Sequence, residues 1–190
     1  METKEWAFRK QLSESKRPII TDGAMGTMLH ESGIPMDACF DELNLTHPAI
    51  VAEIHRDYIQ AGAEIIKTNT FGANRIKLER HGLEAQVQEI NKAAANLVRR
   101  VMLATFKEVL IAGDMGPLGV PLAPFGRVKQ DEAYAIYREQ AAALIEGGVD
   151  LILIETVVDL YAVKAAVDAV KAIDSTMPII ASMTFTRDQR

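Results

Sequence analysis

The stretch GGVDLILIET, residues 147–156, decides the fold class of this 190-residue chain. Two glycines end the preceding segment, four consecutive aliphatic residues follow Asp150, and Glu155 comes where the apolar run stops. A short, uninterrupted apolar run bounded by turn residues is typical of a strand that is buried on both faces of a parallel sheet. The stretch therefore predicts a parallel strand with a carboxylate at its carboxyl end.

A second stretch, AGAEIIKTNT at residues 61–70, aligns with the first without gaps. Asn69 then matches Glu155, and Thr70 matches Thr156. The similarity is either an internal repeat or the result of two strand–helix units that meet the same local requirements. In both cases a polar side chain follows the last apolar residue of the strand.

Five apolar runs alternate with segments of helical periodicity, which predicts an α/β fold with a parallel sheet. The runs lie at residues 19–20, 64–67, 109–112, 151–154 and 179–183. Between them, helices are predicted from Pro48 to the stop at Gly62 and over a longer tract from about 84 to 107.

Polar residues follow all five runs: Asp22, Asn69, Asp114, Glu155 and Thr184. Ligand sites of parallel α/β folds lie outside the carboxyl ends of the strands, so these residues predict the rim of a polar pocket.

A barrel is favoured over an open nucleotide-binding sheet, because no G-x-G-x-x-G follows the first run and no P-loop is present. The spacing of the strand ends implies that eight such units need roughly 300 residues. We therefore expect about the first five units of a (βα)₈ TIM-type barrel. Residues 1–18 are predicted to be a charged lead-in, and residues 19–190 a barrel domain cut short after its fifth strand.

Composition narrows the class of protein further. The net charge is −5 without a basic stripe, which argues against nucleic acid as a partner. No run resembles a signal peptide or approaches the length of a membrane span, so we expect no membrane association. The single cysteine, Cys39, excludes an internal disulfide and fits a reducing compartment, which predicts a cytoplasmic protein.

Five separated motifs resemble the homocysteine S-methyltransferase family, and most closely the homocysteine-binding domain of cobalamin-dependent methionine synthases. They are DGAMGTML, NLTHPAIVAEIHRDYIQAGAEIIKTNTFGAN, IAGDMGPLG, DLILIETVVDL and IIASMTF, and they span about residues 19–190 in the family's order. The motifs do not separate methionine synthases from relatives that fuse this domain to methylenetetrahydrofolate reductase.

The resemblance implies a barrel that binds homocysteine and contacts it through Asp22, Gly23, Ala24, Asn69 and Glu155. The two acids would hold the substrate ammonium with charge-assisted hydrogen bonds. In the family, a zinc ion held by three cysteines activates the substrate thiol, and cobalamin and methyltetrahydrofolate are bound by other domains. None of the three cysteines matches a position of this chain, so we expect no catalytic or metal-binding residue here and doubtful activity of the isolated chain.

Other interpretations of the same residues remain open from sequence. Asp22 can serve a turn, and Glu155 can pair internally with a lysine such as Lys67. Asp114 and Thr70 are expected to satisfy loop backbone groups, and Cys39 to be an ordinary loop thiol.

The function also has alternatives. One is a methyltransferase that uses betaine or S-methylmethionine as its donor. Another is a catalytically inactive binding or assembly fragment that self-associates through the exposed edge of its fifth strand.

Overall fold

The computed structural model describes residues 4–185 of the chain. Eight helices and four strands alternate along most of this part. In chain order the elements are α1 (Lys4–Glu14), α2 (Met25–Glu31), α3 (Leu43–Thr46), α4 (Pro48–Ala61), β1 (Ile65–Lys67), α5 (Arg75–Glu79), a 3₁₀ turn (Glu84–Gln86), α6 (Val87–Thr105), β2 (Leu110–Met115), α7 (Gln130–Glu146), β3 (Leu151–Val157), α8 (Leu160–Ile173) and β4 (Ile179–Met183).

The four strands form one parallel sheet in the order β1-β2-β3-β4. Each strand pairs with the next one along the chain, and helices lie in the connections. This sequential order is that of a (βα) barrel, whereas a doubly wound sheet reverses its strand order at a switch point. The predicted α/β class and partial barrel are confirmed.

The first predicted strand, at residues 19–20, is not a strand, which corrects the expected number from five to four. The segment lies parallel to β1, where Ile20 O accepts hydrogen bonds from the backbone of residues 64 and 65, but only one bridge forms, between Thr21 and Ile65. Two causes are visible. Pro18 has no N–H, and the Ile20 N–H donates to the Glu64 carboxylate at 3.2 Å instead of to a neighbouring strand.

The two faces of the sheet have different partners. Ile66, Ile111 and Ile152 are buried in the main hydrophobic cluster, together with side chains of the surrounding helices. The alternate residues face the concave side, because successive side chains of a strand point to opposite faces. On that side Ile65, Ala112 and Leu151 form a separate cluster with Phe8 of α1. The lead-in therefore contains a helix that contributes a buried side chain to the barrel interior.

The two helical segments predicted from the sequence are helical in the structure. Helix α4 has Pro48 in its first turn and ends at Gly62, whose φ of 104° is left-handed, so glycine is required there. Helix α6 and the 3₁₀ turn before it occupy the predicted long tract. Within the described residues, no helix combines the length and the apolar character needed to cross a membrane.

Candidate substrate-binding site

A cavity of about 560 Å³ opens at the carboxyl ends of β1, β2 and β3. Its lining comes from residues 22–27, 38–41, 67–72, 77–78 and 80–81, and from Asp114 and Glu155. All five residues predicted to contact substrate, namely Asp22, Gly23, Ala24, Asn69 and Glu155, lie in this lining. Thr70 and Asp114 join them, whereas Thr184 is exposed and is not among the lining residues.

Asp22 is the most informative residue of the cavity. One carboxylate oxygen, Oδ2, accepts a hydrogen bond from the Lys67 backbone N–H at 2.9 Å. The other, Oδ1, is buried without a hydrogen-bond partner among the described residues. Burial raises the pKa of Asp22 to about 7; the Lys67 backbone hydrogen bond and ammonium oppose that rise, and the Glu155 charge adds to it. The side chain is therefore fixed in position through Oδ2, while Oδ1 is left without a hydrogen bond from the described residues.

Lys67 and Glu155 form an ion pair at the base of the cavity, with Nζ and Oε1 3.3 Å apart. Internal pairing with Lys67, one of the two interpretations of Glu155, is thus present in the structure. A second acid, Asp114, is 4% exposed beside this pair. Its burial and the Glu155 charge raise its pKa well above the usual range of a carboxyl group, and Lys67 opposes them.

A bulge sets the position of Glu155 at the end of β3. The pairing of β3 with β4 shifts register between Ile154 and Val157, and Thr156 within the bulge has a φ of 61°. A left-handed conformation is strained for a β-branched residue, and bulges re-aim side chains near functional sites. Glu155 faces the cavity beside a strained backbone position that the gapless alignment with residues 61–70 does not reveal.

The segment that carries Gly23 and Ala24 is fixed by Tyr58 of α4. Tyr58 Oη donates to the Ala24 carbonyl at 3.0 Å, and a Cβ added at Gly23 would lie 2.8 Å from the same hydroxyl oxygen. Gly23 therefore lets the backbone pack closely against Tyr58. From the sequence, Tyr58 is recognised only as a position on the apolar face of α4. The contact of its hydroxyl group with Ala24 cannot be predicted from the sequence.

Asn69 connects two walls of the cavity. Its side-chain Nδ2 donates to the Phe40 carbonyl at 2.7 Å, and its own carbonyl accepts from Asn44 Nδ2 at 2.7 Å. Nearby, Asp41 Oδ1 accepts from the Gly72 N–H at 2.9 Å. These bonds hold the loop of residues 38–41 against the end of β1. Sequence reasoning missed this loop because its contacts are made with residues distant along the chain.

Basic side chains form the outer wall of the cavity, which the sequence analysis also missed. Lys77 lies 4.2 Å from the centroid of the Phe71 ring, and burial lowers the pKa of its ammonium group. Arg80 donates to the Gly119 carbonyl at 2.9 Å, and His81 lines the same side. The cavity thus combines an acidic base with a basic rim.

The described residues do not provide a metal site of the zinc type. No group of three or more His, Cys, Asp or Glu side chains in residues 4–185 is arranged to hold a metal ion. Cys39 lines the cavity but is buried, and burial raises the pKa of its thiol, which disfavours the thiolate that metals bind. His55 is fully buried in α4, and both of its ring nitrogens lack partners among the described residues.

Comparison with known proteins gives the class to which this fold and cavity belong. The sequence profile of the family described as homocysteine S-methyltransferase matches residues 19–190. The chain therefore belongs to the homocysteine S-methyltransferase family.

Individual relatives agree with this assignment. Methionine synthase of Mycobacterium tuberculosis (strain ATCC 25618 / H37Rv) is 34% identical over 162 residues, which cover 80% of this chain and 14% of that protein. Methionine synthase of Mycobacterium leprae (strain TN) is 33% identical over 162 residues, covering 80% of this chain and 13% of that protein. The chain thus spans about one seventh of the length of these relatives.

Solved structures agree with the fold. The oxidized form of the homocysteine methyltransferase MmuM from Escherichia coli superposes with a TM-score of 0.80 at 24% identity, covering 95% of this chain and 66% of that one. Its metallated form gives the same TM-score, with 67% of that chain covered. The described strands and helices are therefore arranged as in the barrel of that enzyme.

Proposed function

We propose that this chain binds homocysteine in the cavity, as part of an enzyme that transfers a methyl group to the homocysteine sulfur and yields methionine. The single observation that carries the proposal is the buried, unpartnered Oδ1 of Asp22, which lies in one cavity with Glu155. A buried carboxylate oxygen without a partner is costly unless a ligand donates to it. The ammonium group of an amino acid is such a donor.

Asp22 and Glu155 would bind the ammonium group from two sides. Lys67 already donates to Glu155 Oε1 and to Asp22 Oδ2, through its side chain and its backbone respectively. These contacts fix both carboxyl groups before substrate arrives, which reduces the ordering that binding requires. The amino-acid end of the substrate would then be held in one orientation, with its sulfur directed away from the acidic base.

We assign no sulfur-activating residue to residues 4–185. A metal would supply that activation by deprotonating the thiol, and the metallated MmuM structure indicates metal use in the family. The side chains described here do not fit such a site, so the proposed role of this part of the chain is to bind and orient substrate.

The identity of the methyl donor is a further proposal. The 34% identity to a methionine synthase favours methylcobalamin recharged by methyltetrahydrofolate, with both bound by folate- and cobalamin-binding domains of a longer parent protein. The likeness to a homocysteine methyltransferase keeps betaine or S-methylmethionine as the alternative donor. A cytoplasmic location is also proposed, from the single cysteine.

Titration calorimetry at pH 7.5 with two thiols tests the binding proposal. Homocysteine carries the ammonium group, and 4-mercaptobutyrate is the same thiol acid without it. We expect the parent chain to bind homocysteine and to show no measurable affinity for 4-mercaptobutyrate. Asp22→Asn and Glu155→Gln should each weaken homocysteine binding at least tenfold, because each removes a charge-assisted hydrogen bond.

Glu146→Gln is the matched control, because Glu146 is a surface acid paired with Lys92, remote from the cavity lining. Its affinity should equal that of the parent. If both thiols bound equally well, or if the two cavity variants matched Glu146→Gln, the acids would be structural and the proposal would fail.

A further inference from the structure

Asp114 lies on the concave face of β2, inside the acidic base of the cavity. It pairs across the sheet with Leu153, two residues before Glu155 on β3. The side chain is 4% exposed, and its Oδ1 has no hydrogen-bond partner among the described residues. A buried carboxyl group in this state needs either a donor for its oxygens or a proton of its own.

The nearby hydroxyl groups do not supply that donor. Thr70 donates its hydroxyl hydrogen to the Asp114 carbonyl at 2.7 Å, and Thr68 and Thr70 share a hydrogen bond of 2.6 Å. With the Thr70 hydrogen already used, Thr68 must donate to Thr70. The Thr68 oxygen in turn accepts the Asp114 backbone N–H at 3.0 Å. Both hydroxyl hydrogens are therefore committed elsewhere.

Four charged groups act on the Asp114 carboxyl, one from each neighbouring segment. Glu155 on β3 and Asp22 before α2 raise its pKa, and Lys67 on β1 lowers it. Lys77 of α5 also attracts its negative charge. The Lys67 ammonium group, however, donates to Glu155 at 3.3 Å. The protonation equilibrium of Asp114 is therefore dominated by burial and by the adjacent Glu155 carboxylate, and both favour the protonated form.

We infer that Asp114 acts in this site as a neutral carboxylic acid, donating its proton in a hydrogen bond to Glu155 and so orienting the Glu155 carboxylate for the substrate ammonium group. Asp114 is thus a positioning residue, since it acts on substrate through Glu155. The inference rests on the proposed function for its role in binding, whereas the protonation state of Asp114 is a property of the free chain.

Carbon-13 NMR of the aspartate side chains tests the protonation state without substrate. In the free parent chain at pH 7, we expect the Asp114 carboxyl carbon to resonate at the position of a protonated acid. Its titration midpoint should move to lower pH in Glu155→Gln, because the neighbouring negative charge is removed. An Asp114 resonance in the ionised position at pH 7 would overturn the inference.

Homocysteine binding tests the role of Asp114 in the site. Asp114→Asn keeps the size of the side chain and a donor, so its affinity should stay within threefold of the parent, whereas Glu155→Gln loses at least tenfold. An equal loss in both variants would mean that Asp114 binds as an anion, against the inference. If the parent itself bound no homocysteine, the proposed function would fail, and the NMR titration would still decide the state of Asp114.

Discussion

The Asp22 carboxyl group is 8% exposed and accepts one hydrogen bond from a backbone N–H, so most of its solvation is lost on folding. Its pKa of about 7 in the folded chain lies above the value of 3.8 for a free aspartate. The folded state therefore binds more protons than the unfolded state between pH 4 and 7, and the Asp22 contribution to stability declines as pH rises through that range. The ionised form of Asp22, which the proposed function requires, is thus the form that destabilises the fold.

Asp22→Asn should stabilise the chain at alkaline pH, because it removes the cost of a buried charge and keeps a side-chain acceptor for the Lys67 N–H. We expect a gain in the free energy of unfolding of roughly 2 kcal/mol at pH 8 and none at pH 4. Urea unfolding at the two pH values measures it. A gain of the same size at both values would show that Asp22 does not titrate as described.

His55 has the opposite pH dependence. Burial lowers its pKa to about 4 from 6.5, and neither ring nitrogen has a partner among the described residues. The unfolded state binds the extra proton as pH falls from 6.5 to 4, so protonation of the unfolded chain reduces stability over that interval.

His55→Leu should abolish this loss of stability between pH 6.5 and pH 4. Relative to the variant, the parent should lose up to about 3 kcal/mol of unfolding free energy between pH 6.5 and pH 4. The acids of the cavity titrate in both proteins, so the difference isolates His55. His47→Gln, a change at an exposed histidine one residue before α4, serves as the control and should follow the parent. Parallel curves for parent and His55→Leu would refute the assignment.

At the scale of elements, the bulge at the end of β3 stores strain in an exposed residue. Thr156 has a φ of 61°, a region that costs a residue with a side chain about 1–2 kcal/mol. Thr156→Gly removes that strain and adds the backbone entropy of glycine, about 0.5–1 kcal/mol. We expect a net stabilisation of about 0.5 kcal/mol, measured by urea unfolding. Thr156→Val keeps the branched Cβ and should show no gain; equal behaviour of the two variants would argue against strain.

Most elements of this fold could be predicted from the sequence, because their signals are local. The apolar runs of β1 to β4 and the proline and glycine that limit α4 depend on neighbours in the chain. No strand forms at residues 19–20, because the Ile20 backbone N–H donates to the Glu64 side chain. This contact joins residues that are distant in the sequence, so the local sequence does not predict it. The Thr156 bulge could not be predicted from the local sequence for a similar reason, because it arises where β3 pairs with β4.

The candidate site could likewise be predicted only where its residues follow from local sequence patterns. The acids at Asp22 and Glu155 follow from the rule that strand ends form the pocket. Asn69 contacts Phe40 and Tyr58 contacts Ala24, and each contact joins residues distant in sequence. No local sequence pattern predicts these contacts. The protonated state inferred for Asp114 depends on β2 and on four segments that surround it, so it cannot be predicted before their side chains are placed together.

At the scale of the whole molecule, β4 lies at the edge of the sheet formed by residues 4–185. Within residues 4–185 it pairs with β3 alone, and Ala181 and Ser182 are exposed. An unpaired strand edge offers backbone groups to a second chain. We expect the isolated 20.9 kDa chain to self-associate as its concentration rises, as measured by light scattering.

Ala181→Lys should suppress this association, since a lysine at the edge opposes pairing. Ala172→Lys adds the same charge on an exposed position of α8 and should leave association unchanged. A parent chain that stays monomeric over the whole concentration range would refute edge pairing.

Helix α1 contributes to the stability of the whole molecule, because Phe8 is buried against Ile65, Ala112 and Leu151 from three strands. Phe8→Ala should lower the free energy of unfolding by about 3 kcal/mol, through lost burial and a cavity. Leu12 of the same helix is 49% exposed, so Leu12→Ala should cost well under 1 kcal/mol. Equal costs would mean that α1 does not pack on the sheet.

The position of Phe8 has a consequence for how the chain reaches its native state. Its three contacts come from strands made progressively later during synthesis, and the last of them lies beyond α7. Long-range contacts of this kind form slowly, because the intervening chain must be ordered first. We therefore expect the concave surface of the sheet to stay uncovered until α1 docks, and exposed apolar surface promotes aggregation. We expect docking of α1 to be a late step of folding, because its contact surface for Phe8 is complete only when β1, β2 and β3 are paired.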